Sequence, residues 1–158
     1  MIALHPARIW SAGDGVRAGL SVLVDGNRIV KIAPRGEISG AEQSIELACC
    51  MLLPGLMDLH SHLFLHPYNE ASWDDQVLKE SEAFRTVRAV HHARATLAAG
   101  FTTLRDLGTE GAGYADVALK RAIAEGLTAG PRLFVAGPAR PRQQSGRTRL
   151  DAEARDEQ

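Results

Sequence analysis

Two histidines two residues apart, His60 and His62, close the run Pro54-Gly55-Leu56-Met57-Asp58-Leu59-His60-Ser61-His62. On an extended strand alternate side chains point to one face, so both imidazoles can reach a single metal ion. Neutral imidazole is a good ligand for zinc and similar divalent ions. A nearby carboxylate orients a ligating ring or joins the coordination, and Asp58 shares the face of the two rings. A strand fits this run better than a helix, because Pro54 would interrupt a helical ladder and Gly55 would weaken it. The pattern by itself has a second reading, in which two histidines at the mouth of a strand merely cap a core.

The residues that follow must position this pair. Leu63 to Asn69 form a loop of mixed polarity just beyond the strand, and His66, Tyr68 and Asn69 are candidates for substrate contact or for simple solvent exposure. Ser72, with Asp75 at capping-box spacing, opens a helix that runs to Gly100. Val77, Phe84, Val87, Val90, Leu97 and Ala98 supply its inward stripe, and Asp74, Lys79, Glu82 and Arg85 its polar positions. His91 and His92 point in different directions on that helix and have structural or surface roles. Phe101 to Thr109 reads as the next strand and its terminal loop, with Arg105 and Asp106 on opposite faces, available for loop ordering or an ion-pair network. A helix over Asp116 to Leu127 follows, using Val117, Leu119, Ala122, Ile123 and Leu127, and then a strand over Arg132 to Gly137. Gly111 and Gly113 precede that helix without the Gly-Lys-Ser/Thr of a phosphate loop or the spacing of a dinucleotide fingerprint.

Residues 1–52 read as short strands: Ala7 to Trp10, Ser21 to Val24, Arg28 to Ile32 and Ile45 to Leu47, with Asp25-Gly26 as a hairpin turn. Adjacent Cys49 and Cys50 suggest neither a disulfide framework nor a Cys-x-x-Cys pair, and fit reduced, partly buried strand positions. With 18 basic and 19 acidic residues the formal charge is -1, which gives no electrostatic reason to expect nucleic acid or an anionic membrane as a partner. No window approaches the roughly 20 apolar residues of a membrane helix, and no basic segment with an apolar run opens the chain. The expected location is cytoplasmic.

The Pro-Gly-apolar-Asp-x-His-x-His run, the Thr102-Thr103-Leu104-Arg105-Asp106 strand and the Arg132–Gly137 strand together resemble the amidohydrolase superfamily of metal-dependent hydrolases. The resemblance extends over about residues 4–138 and is nearest to the branch containing Xaa-Pro and Xaa-Arg dipeptidases. It implies an α/β fold, a partial (β/α) TIM barrel preceded by part of a small β-sandwich. Residues 1–52 would be the β-rich subdomain, and residues 53–138 the first three barrel strands with their helices. It further implies that His60 and His62 bind the more buried of one or two divalent ions, zinc first among them, with Asp58 in a supporting role. The loop after His62 would then lie at the catalytic end, where His66, Tyr68 and Asn69 approach a small-molecule or dipeptide substrate.

A complete barrel of this kind needs about 250 residues, and the chain has 158. Its character changes at Ala139, where residues 139–158 become polar and charged, as a frameshifted or truncated reading frame would. The bridging ligand, two later histidines and the late catalytic aspartate implied by the resemblance have no match there. The expectation is therefore a hydrolase of amide or peptide bonds by family, with the 158-residue chain itself inactive. Other readings are a cyclic amidohydrolase or deacetylase, or a nonenzymatic fragment that pairs through an open sheet edge, including with a second copy of itself.

Overall fold

The computed structural model describes residues 1–138, and the polar tail expected over 139–158 lies outside them. Two compact units meet in sequence at Leu56 and Met57. The first contains β1 (Ile2–Ser11), β2 (Gly15–Ala18), β3 (Leu20–Asp25), β4 (Arg28–Pro34) and β5 (Gln43–Leu52). These form one sheet in the order β2-β1-β3-β4, with β5 paired to β1. The β1–β2, β1–β3 and β3–β4 pairs are antiparallel, and β5 runs parallel to β1. The Asp25-Gly26 hairpin is present, with Asp25 opposite Arg28 and Gly26 at φ +54, a conformation glycine adopts without a Cβ penalty.

Side-chain alternation marks only Ala7–Trp10 of β1 and Ile45–Leu47 of β5, and it does not mark β2 at all. Backbone pairing extends the strands through residues that break the alternation. His5, for example, sits inside β1 with its Nδ1 2.7 Å from Ser21 Oγ on β3. Cys49 and Cys50 are free thiols and both are exposed, which corrects the half-buried placement. Among the described residues β5 has β1 as its one strand partner, so its side chains have less to pack against than those of a central strand.

The second unit alternates strand and helix. Its strands are β6 (Leu56–Ser61), β7 (Phe101–Asp106) and β8 (Arg132–Val135), and its helices are α1 (Trp73–Leu78), α2 (Glu82–Ala98) and α3 (Ala115–Ala124). The sheet order is β6-β7-β8, and β7 and β8 are parallel from Thr103↔Arg132 to Asp106↔Val135. This is an incompletely closed, barrel-like α/β arrangement, as anticipated. Leu104 of β7 and Leu133 of β8 are buried with Leu63, Phe64, Ala89, Ala93, Ala112 and Leu119. Phe134, next to Leu133 on β8 and thus on the other face of the sheet, is more than half exposed.

The single helix expected from Ser72 to Gly100 is two helices. Ser72 Oγ accepts from Asp75 N at 3.2 Å, as its spacing implies, but Ser81 Oγ then accepts from Phe84 N at 3.2 Å and starts α2. A second N-cap serine breaks the helix because its own backbone is extended while its hydroxyl takes over an unpaired N–H. The inward face of α2 also differs from the apolar stripe. Arg85, Arg88, Ala89 and Ala93 are buried, whereas Phe84 and Val87 are exposed. On α3, Leu119 is buried as expected, Val117 is exposed and Asp116 is fully buried, and the helix ends at Ala124, short of Leu127, which is exposed beyond it.

Arginine occupies the inner face of α2 because the loops beneath it present carbonyl groups that need donors. Arg85 donates from Nε to Phe64 O at 3.3 Å, from Nη1 to Glu110 O at 2.8 Å and from Nη2 to Thr109 O at 2.7 Å. One guanidinium thus ties the loop after β6 to the loop after β7. Burial, and then repulsion from Arg88, pull its pKa down from the ordinary arginine value. Arg88 is paired differently, with Nη1 on Glu80 Oε1 at 2.8 Å and Nη2 on Gln76 Oε1 at 3.2 Å. Further along α2, His92 Nδ1 lies 2.8 Å from Leu63 O, so the same helix clasps the residue that follows His62.

Two outcomes follow for stability. Arg85→Met keeps the packing of the stem but leaves the Glu110 carbonyl without its donor and takes one donor each from Phe64 O and Thr109 O, which retain Arg88 Nη2 and Ala112 N, and it should cost about 2 kcal/mol in urea unfolding; Lys79→Ala, at an exposed pair with Asp75, should leave the urea midpoint nearly unchanged. Equal effects of the two would contradict the clasp. Burial first, then the neighbouring His66, Arg88 and His91, hold the His92 pKa below its usual 6.5, against the Leu63 carbonyl, which raises it. As the pH falls through 6.5 the unfolded chain therefore takes up a proton that the folded chain resists, and stability declines until the lowered folded value is passed. His92→Gln should flatten the dependence of the urea midpoint between about pH 7 and pH 5.5, and an unchanged slope would remove His92 as its source.

Candidate metal centre

The Pro54-Gly55 pair lies before β6, so the strand begins at Leu56 and carries Asp58 and His60 before ending at Ser61. His62 is the first residue beyond it. The rings of His60 and His62 are 5.4 Å apart between centroids and inclined at 66°. His60 is exposed and His62 half-buried. Side chains this close on one edge of a sheet can converge on one ion by rotation about their own bonds.

The two rings are held differently. His62 Nδ1 lies 3.3 Å from Gly108 O, and a carbonyl only accepts, so in the neutral ring the proton sits on Nδ1 and the lone pair of Nε2 is free. This donor set fits a divalent ion as two of its ligands. Asp58 Oδ1 accepts from the backbone N–H of His60 at 2.9 Å, an Asx-type bond to the residue two positions on that fixes the peptide carrying the first imidazole. Among the described residues no group of three or more His, Cys, Asp or Glu side chains is arranged to hold a metal.

The other candidates separate. His66 is half-buried; its backbone N–H donates to Gln76 Oε1 at 2.5 Å, and its Nδ1 is 3.6 Å from Glu70. Its ring stands 5.0 Å from that of His92. His62, Leu63, His66, Glu70 and His92 border a cleft of about 420 Å³. Tyr68 and Asn69 are exposed beyond it, and neither borders the cleft.

Arg105 and Asp106 take opposite faces of β7. Arg105 is exposed and Asp106 is 1% exposed. Asp106 accepts from Leu63 N through Oδ2 and from Gly108 N through Oδ1, both at 3.0 Å. Among the described residues its partners are thus backbone N–H groups, and no ion pair involves Asp106 or Arg105. Burial raises the Asp106 pKa, and the bonds from Gly108 and Leu63 oppose that rise. Asp116, at the start of α3, repeats the device by accepting from Gly137 N after β8 at 2.7 Å.

Gly108 and Asp116 carry geometry that the sequence reading does not assign to them. Gly108 has φ +132, and a Cβ there would stand 3.3 Å from Gly137 O. The available signal was Asp106-Leu107-Gly108 at the end of a strand, since aspartate commonly bonds the N–H two residues ahead.

A family model described as the amidohydrolase family matches residues 51–158. Among curated proteins, a dihydroorotase from Syntrophotalea carbinolica is 32% identical over 62 residues, covering 39% of this chain and 14% of that protein. Among solved structures, a Xaa-Pro dipeptidase with methionine bound in its active site matches with a TM-score of 0.74 and 30% identity over 95% of this chain and 38% of its own. A putative prolidase from Bifidobacterium longum matches with a TM-score of 0.68 and 28% identity over 91% of this chain and 32% of its own. The chain thus spans less than two fifths of each of these relatives. With more than half of its residues matched and both structural neighbours prolidase-like, the chain belongs to the amidohydrolase family.

Proposed function

We propose that this chain carries the first two metal ligands of a hydrolase that cleaves a carbon–nitrogen bond, with zinc as the metal and the amide of a dipeptide as the substrate class. The observation that carries this reading is the closeness of the His60 and His62 rings at the end of β6, 5.4 Å between centroids, with the bond to Gly108 falling on Nδ1 of His62 and not on its Nε2. The likeness to a Xaa-Pro dipeptidase over 95% of the chain supports a peptide substrate. The shorter likeness to a dihydroorotase favours a cyclic amide as the second reading.

A divalent ion, when bound, supplies Lewis acidity toward a scissile carbonyl and toward water. The chain's own residues grip and orient it. His60 and His62 donate nitrogen lone pairs, Asp58 steadies the His60 peptide, and the Gly108 carbonyl holds the second ring. His66, which borders the cleft, is the residue this reading assigns to substrate contact, with Tyr68 and Asn69 beyond it. The described carboxylates of Asp58, Asp106 and Asp116 are all engaged by backbone N–H groups, so none is assigned the proton transfer that amide cleavage needs.

A catalytic zinc normally has about three protein ligands and an open position. The purified 158-residue chain should therefore bind zinc or cobalt weakly and show no turnover of Xaa-Pro dipeptides or of a cyclic amide. Titration should give an affinity at least about tenfold lower in His60→Ala and in His62→Ala, with His91→Ala unchanged. Equal binding by wild type and His60→Ala would sink the ligand assignment, and turnover lost in both ligand variants would overturn the expected inactivity. To test the bond class, residues 1–138 can be joined to the remaining barrel of the Xaa-Pro dipeptidase neighbour. Dipeptide hydrolysis that depends on His60 supports the peptide reading, whereas metal-dependent turnover of the cyclic amide alone replaces it with the second.

A further inference from the structure

We propose that Asp106 is a positioning residue for His62: through Gly108 it sets which ring nitrogen of that imidazole faces the metal. The proposal rests on the reading of His62 as a ligand, but its geometry stands within the protein alone. The Asp106 carboxylate touches two peptides at once. Its Oδ2 accepts from the N–H of Leu63, the residue directly after His62, and its Oδ1 from the N–H of Gly108, both at 3.0 Å. Gly108 in turn presents its carbonyl to His62 Nδ1 at 3.3 Å. The circuit closes on itself, from the His62 ring to Gly108, to Asp106, to Leu63 and back along the chain to His62.

Three features make this circuit more than loop ordering. Asp106 is almost fully buried, so water cannot replace its oxygens without cost. Leu107 N donates to Ser61 O at 3.0 Å, which anchors the intervening residue to the end of β6 and leaves the Gly108 peptide little freedom to turn. At φ +132, with a Cβ 3.3 Å from Gly137 O, a side chain at Gly108 would be strained and would press on that carbonyl. An acceptor fixed at this point admits one neutral tautomer of His62, protonated on Nδ1, and so presents Nε2 to a metal before any metal arrives.

Asparagine at position 106 is nearly isosteric but offers one acceptor oxygen and sets an NH2 against the other backbone donor. One of the two peptides is then released. Long-range proton–nitrogen correlation spectra of the metal-free 158-residue chain, labelled in histidine and recorded at alkaline pH, read the tautomer directly. Wild type should show His62 protonated on Nδ1, and Asp106→Asn should move both ring-nitrogen signals toward a mixture of tautomers. A wild-type His62 protonated on Nε2 would overturn the proposal without any variant, as would an unchanged spectrum in folded Asp106→Asn.

Zinc titration completes the test. Asp106→Asn should weaken binding by about tenfold, and the same substitution in a His62→Ala background should add nothing. A loss of equal size in both backgrounds would mean that Asp106 acts through general structure, which overturns the positioning role. If His62→Ala leaves zinc binding intact while Asp106→Asn still shifts the His62 tautomer, the metal reading fails and the control of the ring by Asp106 stands.

Discussion

The second unit depends on the pairing of backbone groups buried in the loops that follow its strands. An unpaired N–H or C=O away from water costs about 1–3 kcal/mol, and these loops have no sheet or helix ladder of their own to meet that demand. Charged side chains meet it, divided by sign. Acceptor-only carboxylates take the N–H groups: Asp106 those of Leu63 and Gly108, and Asp116 that of Gly137. The donor-only guanidinium of Arg85 takes three carbonyls. Each buried charge is thereby solvated by peptide dipoles instead of a counter-ion, and each joins segments far apart in sequence.

This division explains what was legible beforehand and what was not. The spacing of His60 and His62, the Asp25-Gly26 turn, the Ser72 cap and the strand–helix–strand alternation all depend on local rules, and the structure contains each of these elements. The inner face of α2 depends on what lies beneath it. Hydropathy places Phe84 and Val87 inside and Arg85 outside, but the carbonyls of Phe64, Thr109 and Glu110 reverse that order. Ser81 illustrates the same limit on a smaller scale, because a serine followed by Glu82 reads as easily as a mid-helix residue as it does as a cap. The half-buried cysteines fail for a related reason: exposure of Cys49 and Cys50 is a property of the position of β5 in its sheet, which no pattern within β5 reveals.

The histidine pair shows how the two kinds of information combine. Two imidazoles on one strand are a local feature, and by themselves they are compatible with a capped core. Their meaning changes once Gly108, 46 residues later than His62, is seen to hold one ring by Nδ1. A core histidine is satisfied when both nitrogens find partners, whereas this one is held at Nδ1 and, among the described residues, has no hydrogen-bond partner at Nε2. The asymmetry between the rings adds a further step. The His60 ring is exposed and its peptide is steadied by Asp58, while the His62 ring itself is held, so His62 fixes direction and His60 retains freedom to adapt.

Position along the strand decides why the constraint falls on His62 and not on His60. His60 lies within β6, where the strand's own hydrogen bonds hold the backbone and the side-chain direction follows from the pleat. His62 lies one residue past the end, where the pleat no longer dictates direction and the chain must turn into the loop. A ring placed there needs an external reference, and the end of the neighbouring strand is the nearest rigid element. Asp106, the last residue of β7, provides that reference to both sides of the turn. The orientation of the second imidazole is thus set by the ends of two adjacent strands.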